Sequence, residues 1–175
     1  MLMLNRIKRV FRHRWVDDTA VRRTIAPDML QRLQRRVAAS EQRHAGEVRI
    51  YIEAGLPLSY LWTDTPTSKI ARQRALDLFS QLRVWDTAAN NGVLIYLLLA
   101  EREIEIVADR GLNDRVEPAV WQALVTRMSG AFKQSQFEEG LTTALAEVSA
   151  LLVQHFPLGA GEVNPNELPD LPILN

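Results

Sequence analysis

Six residues carry the chemistry this 175-residue chain can offer: Glu47, Asp86, Asn90, Asn91, Asp109 and Arg110. They stand beside Gly46, Gly92 and Gly111, where a backbone can turn tightly and present carbonyl oxygens. Carboxylates and amide oxygens grouped on loops suit hard divalent cations. Ca2+ takes about six to eight oxygens at roughly 2.3–2.6 Å, and Mg2+ about six, several of them water. The same residue types are also the usual turn formers and helix caps, and both uses remain open at this level. Catalysis asks for more: a nucleophile or an activated water, a charge clamp and usually a metal. There is no Cys, which excludes cysteine-phosphatase, thioredoxin-like and zinc-ribbon chemistry. The chain has no Asp-x-Asp pair, Walker A loop or G-x-S-x-G elbow. His44 and His155 read as helix-end residues, and His13 lies in a basic arm. One catalytic route is left, a metal-bound water held by Glu47, Asp86 and Asp109, with Arg110 close enough to clamp a phosphate.

Those loops need elements to position them. Leu4, Ile7, Val10, Phe11 and Trp15 recur near helical spacing with Lys and Arg between them. Pro27 suits the first turn of a helix whose buried face is Leu30, Leu33 and Val37, ended by His44 and Gly46. Val48 to Glu53 alternates strictly, as a half-buried strand does. A loop from Gly55 to Asp64 precedes Thr65-Pro66, read as cap and first position of a helix with Ala71, Ala75, Leu78, Phe79 and Leu82 inward. Gly92 to Leu99 is apolar on both faces, as a central strand covered by helices would be. Glu101-Arg102 turns the chain into a third strand, in which Ile104 and Ile106 alternate with Glu103 and Glu105. A helix over 118–132 follows, and Ser135-Gln136-Phe137-Glu138 reads as a capping box for a last helix closed by His155 and Pro157. The order αβαββαα predicts an α/β fold, a three-layer α/β/α sandwich around a small mixed sheet.

Topology then gathers the polar residues. A helical crossover makes the first two strands parallel, and a hairpin makes the third antiparallel. The start of strand one, the start of strand two and the end of strand three therefore share one sheet end. Glu47, Asp86 with Asn90 and Asn91, and Asp109 with Arg110 all fall there.

The stretch Asn90-Asn91-Gly92-Val93-Leu94-Ile95-Tyr96, then Glu101 to Ile106, then Asp109-Arg110-Gly111-Leu112 resembles the core of TPM domains, which typically read D-N-G-V-L, an Arg-containing turn, a strand and G-x-G-L. Gly46-Glu47-Val48 resembles their first-strand entry, Arg74 to Phe79 their R-A-x-x-x-F helix, and Phe132 to Leu152 their final segment. The ordered set covers residues 25–156. The resemblance implies an α/β/α sandwich, a Ca2+ or similar ion near the D-N-G loop, and, in some members, phosphatase activity. By the resemblance Asn90 occupies the motif Asp and Asn91 the motif Asn. Exchanging the carboxylate for an amide weakens a divalent site while leaving an oxygen ligand, and Asp86 or Asp109 would restore the charge.

Residues 1–36 hold ten Lys or Arg against three Asp or Glu, and residues 37–175 hold eleven against eighteen. A basic arm on an acidic body predicts docking on its own body or on an anionic membrane surface through Arg6, Lys8, Arg9, Arg12 and Arg14. Nucleic acid is not the expected partner, because no basic sheet face interleaved with aromatics accompanies the arm. The longest apolar run, Val93 to Ala100, is far shorter than the about 20 residues a membrane helix needs. The first residues lack the apolar core of a signal peptide, and a cytoplasmic location is expected. Three regions result: a basic arm over 1–24, a TPM-like domain over 25–156, and a tail over 157–175 that holds four of the eight prolines and is either disordered or an extended strap. Leu168, Leu171, Ile173 and Leu174 could dock that tail. The expected role is a divalent-metal-binding module for an unidentified protein partner or for quality control, with a weak metal-dependent phosphatase or a membrane-surface adaptor as alternatives.

Overall fold

The computed structural model of the chain describes residues 2–14, 21 and 24–175, with backbone alone for residues 2–6 and 14. Its elements are α1 (Leu2–Arg14), α2 (Pro27–Glu41), β1 (Glu47–Glu53), α3 (Leu58–Leu61), α4 (Thr67–Gln81), β2 (Gly92–Leu98), β3 (Glu103–Ala108), α5 (Arg110–Asn113), α6 (Pro118–Lys133), α7 (Phe137–His155) and β4 (Ile173–Leu174). The sheet runs β3-β2-β1-β4. β1 and β2 are parallel, with Glu47 opposite Gly92, and β2 and β3 are antiparallel, with Val93 opposite Ala108. The α/β/α sandwich and its mixed sheet are those the element order predicts. Leu33, Val48, Ile50, Ile95, Phe132, Leu141 and Val148 form the core between the sheet and α2, α6 and α7. Ile70, Ala71, Leu78, Leu94 and Tyr96 form the core beneath α4. β2 is buried at every position, as its apolar run requires.

Local chemistry departs from expectation in four places. β1 alternates in sequence but is buried at every position, because its polar side is covered as well. Pro66 is the cap of α4, not its first residue, and the Thr65 hydroxyl bonds Thr63 instead. The capping box at Ser135 does not form. Ser135 adopts φ 61° to close α6 through its N–H to the Phe132 carbonyl, and Glu138 reaches across to Arg32 at 2.7 Å. α2 ends at Glu41, so His44 is no helix terminus; it is buried and bridges to Pro157 at the entry to β1.

The tail is a strap on its own chain. Tyr51 and Ile52 pair in parallel with Ile173 and Leu174, and Asn175 exchanges backbone bonds with Ile52 and Ala54. Asn164 donates to the carbonyls of His44 and Gly46, the Leu168 N–H to Glu47, and Glu167 accepts from the Ala88 N–H. Beneath the strap, burial pushes the Glu41 carboxyl up to about 8; the Val48 N–H opposes the rise, while Glu47 and Asp170 add to it. At the far end of β1, Glu53 lies at 1% exposure against Arg74 at 9% and 2.7 Å, and Tyr96 donates to the same carboxylate at 2.7 Å. Burial works against the Arg74 charge, but the hydrogen bond and charge of Glu53 more than offset it.

Two outcomes follow from these buried charges. Glu53→Ala strands Arg74 and should cost about 3–5 kcal/mol of unfolding free energy in urea titrations, against about 1 kcal/mol for Tyr96→Phe. A loss equal to that of Tyr96→Phe would show that the ion pair does not hold α4 to the sheet. Glu41 binds its proton more tightly folded than unfolded, so its contribution is complete below the ordinary value of 4.5 and is lost as pH rises toward 8. The urea midpoint should therefore fall from about pH 5 to about pH 8, and Glu41→Gln should flatten the fall. An unchanged slope in that variant would remove Glu41 as its source.

Candidate functional site

The three polar loops meet where the topology puts them. The Asp109 N–H bonds the Gly92 carbonyl at 2.9 Å, which fastens the end of β3 to the start of β2. Asn90 sits at φ 52°, a left-handed conformation that Asn tolerates. Its N–H reaches the Thr87 carbonyl, and the Asn91 N–H reaches the Thr87 hydroxyl at 3.1 Å. Gly111 is required here for space: a Cβ on it would lie 2.4 Å from the Asn90 carbonyl oxygen and 2.6 Å from that of Ala89. Glycine thus lets the α5 loop lie directly on the β2 entry loop.

The side chains divide into three groups. Asn91 is buried; its Nδ2 donates to the Ala45 carbonyl at 2.9 Å, and its Oδ1 has no donor. Asp109 caps α5, with Oδ1 accepting from the Arg110 N–H at 2.7 Å and a buried Oδ2 that has no donor. These are two of the open acceptors of the loop end, with Glu47 Oε1 the third among the described residues. Asn90 and Arg110 are engaged with each other, since the guanidinium Nε and Nη2 both donate to Asn90 Oδ1, at 3.1 and 2.9 Å. Glu47 and Asp86 are drawn elsewhere. The Glu47 side chain is fully buried, with Oε2 accepting from the Leu168 N–H at 3.0 Å and Oε1 lacking a donor. Burial pushes its carboxyl up, the strap N–H groups of Leu168 and Glu167 pull it down, and the charges of Glu167 and Asp170 raise it. Asp86 is 52% exposed and faces Arg83 at 3.3 Å. Among the described residues no three His, Cys, Asp or Glu side chains stand together as a metal would need. A cation here would rely on Asn91, Asp109 and main-chain carbonyls.

The histidines do not join the site. Burial pushes His44 down to about 4, with the Arg43 charge adding to the shift and the Gly46 carbonyl opposing it. That imidazole is neutral near pH 7 and bonds Gly46 through Nδ1 at 3.1 Å. His13 accepts from the Leu56 N–H and meets Glu101 at 3.0 Å. The described part of the basic arm lies on its own body. Arg9 donates to the carbonyls of Leu61, Thr63 and Thr65, and Arg12 pairs with Glu101 at 2.8 Å. Lys8 is exposed. Trp15 and the side chains of Leu4, Arg6 and Arg14 lie outside the described residues.

Sequence reasoning missed the strap's part. Asn164 and Glu167 hold the entries to β1 and β2 from outside, and Asp170 adds charge beneath them. The available signal was a tail in which polar residues alternate with prolines ahead of an apolar end, the pattern of a docked extended segment. No helix among the described residues is long and apolar enough to cross a membrane.

A family model described as the TPM domain matches residues 17–151. The NMR structure of the BA42 protein from the psychrophilic bacterium Bizionia argentinensis is similar at a TM-score of 0.70 and 24% identity, over 85% of this chain and 93% of that one. At that identity the likeness speaks for the fold alone. No curated protein matches the chain. The family match runs from before α2 into α7 and takes in the loops that carry Glu47, Asn90, Asn91 and Asp109, so the chain belongs to the TPM domain family.

Proposed function

We infer that the domain is a divalent-cation-binding interaction module, of the kind used to engage a protein partner or in quality control, and not an efficient phosphatase. The observation that supports this is the pair of buried acceptors, Asn91 Oδ1 and Asp109 Oδ2, left without donors on adjoining loops. A buried acceptor without a partner costs about 1–3 kcal/mol, and a hard cation such as Ca2+ or Mg2+ satisfies carboxylate and amide oxygens together. Asn91, Asp109 and the carbonyls of the Ala89–Asn90 turn would hold it. With a single carboxylate the affinity falls in the range of about 0.1–1 mM. Binding is favoured over turnover because Arg110, the group that would clamp a phosphate, is engaged with Asn90. The test is an amide-shift titration of the full chain with Ca2+ and with Mg2+. Asn91, Asp109 and Gly111 should shift together in the wild type, and Asp109→Asn should weaken the response by roughly tenfold. No shift by about 5 mM, or shifts spread over the acidic surface, would end the cation reading. Phosphate-ester hydrolysis that depends on Asp109 and on added metal would favour the phosphatase instead.

A second use has its own support. Trp62 is 66% exposed, Phe11 57% and Leu58 52%, where α1 packs beside α3, with Lys8 on the same helix as Phe11. Aromatic and cationic groups together suit an anionic lipid surface. Flotation with phosphatidylserine vesicles should fall for Trp62→Ser combined with Lys8→Glu; equal flotation of variant and wild type would dismiss the surface.

A further inference from the structure

β3 is an outer strand of the sheet, and its outer edge is open. The register and the Asp109 N–H bond to Gly92 make Asp109, Val107, Glu105 and Glu103 the residues that exchange bonds with β2. The N–H and carbonyl groups of Ile104, Ile106 and Ala108 therefore point outward. Among the described residues the bond that reaches them is from Arg72, whose Nη1 donates to the Ile106 carbonyl at 2.6 Å. A groove of about 380 Å3 runs along this edge, between Arg72 on α4 and Asn113, Pro118, Trp121, Gln122 and Val125 beside and on α6.

The two sides of the groove differ in chemistry. Ile104, Ile106 and Ala108 share a face with Trp121 and Val125 of α6. The Trp121 indole N–H is buried there without an acceptor. Glu103 and Glu105 share the opposite face with α4, and Arg72 meets Glu105 at 3.4 Å. Burial and the neighbouring carboxylates Glu105 and Glu101 push Glu103 up, a stress that a cation would relieve. One wall is thus apolar with a spare donor, and the other carries excess negative charge.

We propose that the β3 edge takes up an extended cationic peptide segment as a fifth strand, with basic side chains toward Glu103 and Glu105 and apolar ones toward Trp121 and Val125. Strand addition supplies the main-chain bonds that Ile104, Ile106 and Ala108 leave unmade, and alternate side chains supply the selectivity. Charge complementarity selects the occupant: a second copy of this edge would bring Glu103 and Glu105 near their own like, and an acidic peptide would add to the repulsion. Arg72 moves from the Ile106 carbonyl to make room, and its exposed side chain has the freedom to do so. The groove adjoins the α5 loop, with Ala108 and Asn113 at its flank, but its bonds are made by the β3 edge and not by Asn91 or Asp109.

The test uses the full chain and three blocked hexapeptides. One alternates lysine with valine or leucine, one has glutamate for lysine, and one is the lysine peptide N-methylated on alternate residues. Amide spectra should show the lysine peptide shifting Ile104, Ile106, Ala108 and the Trp121 indole N–H at about 1 mM or below. The glutamate and N-methylated peptides should leave those signals unmoved. Glu103→Lys should weaken the lysine peptide by roughly tenfold. Ala108→Pro, which removes an outward donor and spares the ladder to β2, should abolish its effect on the Trp121 indole. Equal binding of the N-methylated peptide would reduce the effect to surface charge and overturn the proposal. Silence of the edge amides would identify Arg72 as a seal against strand pairing and overturn it also.

Discussion

β1 is buried along its whole length and yet carries Glu47, Arg49 and Glu53. A buried charge must be neutralised or satisfied, at a penalty of several kcal/mol if it is not. Much of the outer architecture answers that requirement. Glu53 fixes where α4 lies, because Arg74 must reach it, and Tyr96 of β2 completes the carboxylate's shell. Arg49 reaches the Leu171 carbonyl at 3.3 Å and Glu47 takes the Leu168 N–H, so the strap is the partner of the other two. The strap is held on β1 both by these polar contacts and by the pairing and burial of Ile173 and Leu174.

The same constraint shapes the polar loop end. Glu47 belongs to it by topology, but the strap covers it and takes one oxygen of its carboxylate, leaving Oε1 buried without a donor. Asp86 belongs to it by sequence proximity, but as an exposed residue it pairs with Arg83. What remains is a small oxygen set, one amide at Asn91 and one carboxylate at Asp109, beside an engaged Arg110–Asn90 pair. The site is therefore chemically mild.

The fold was largely legible because period and punctuation agree in the sequence. Val93 to Leu98 could only be a covered strand, and the hairpin at Glu101-Arg102 set its partner's direction. That alone placed Asp109 against Gly92. The site was legible as a location but less so as chemistry. Alternation in β1 says which residues share a face, but not that the polar face will be covered by a segment 120 residues away. Ser135 fits the letters of a capping box, yet the demand for a left-handed residue after α6 overrides it. Helical spacing could not foresee that Arg9 and Arg12 would be consumed by carbonyls and by Glu101. The β1 and arm misses are long-range partners outcompeting a local pattern, and the Ser135 miss is one local demand outcompeting another.

The segment between α4 and β2 shows what such partners do to rates. Arg83 at φ 54° and Asn90 at φ 52° bracket it, Thr87 bonds it from within, and Glu167 clamps Ala88 from outside. Gly92 is packed so tightly on Val84 that a Cβ would fall 1.9 Å from its carbonyl oxygen. A loop pinned this way has little slack to give up and little to gain by closing. A ligand that met this loop would pay a small ordering penalty. Its residence time would then follow from how many oxygens stood in place before it arrived, and not from any closing of the loop.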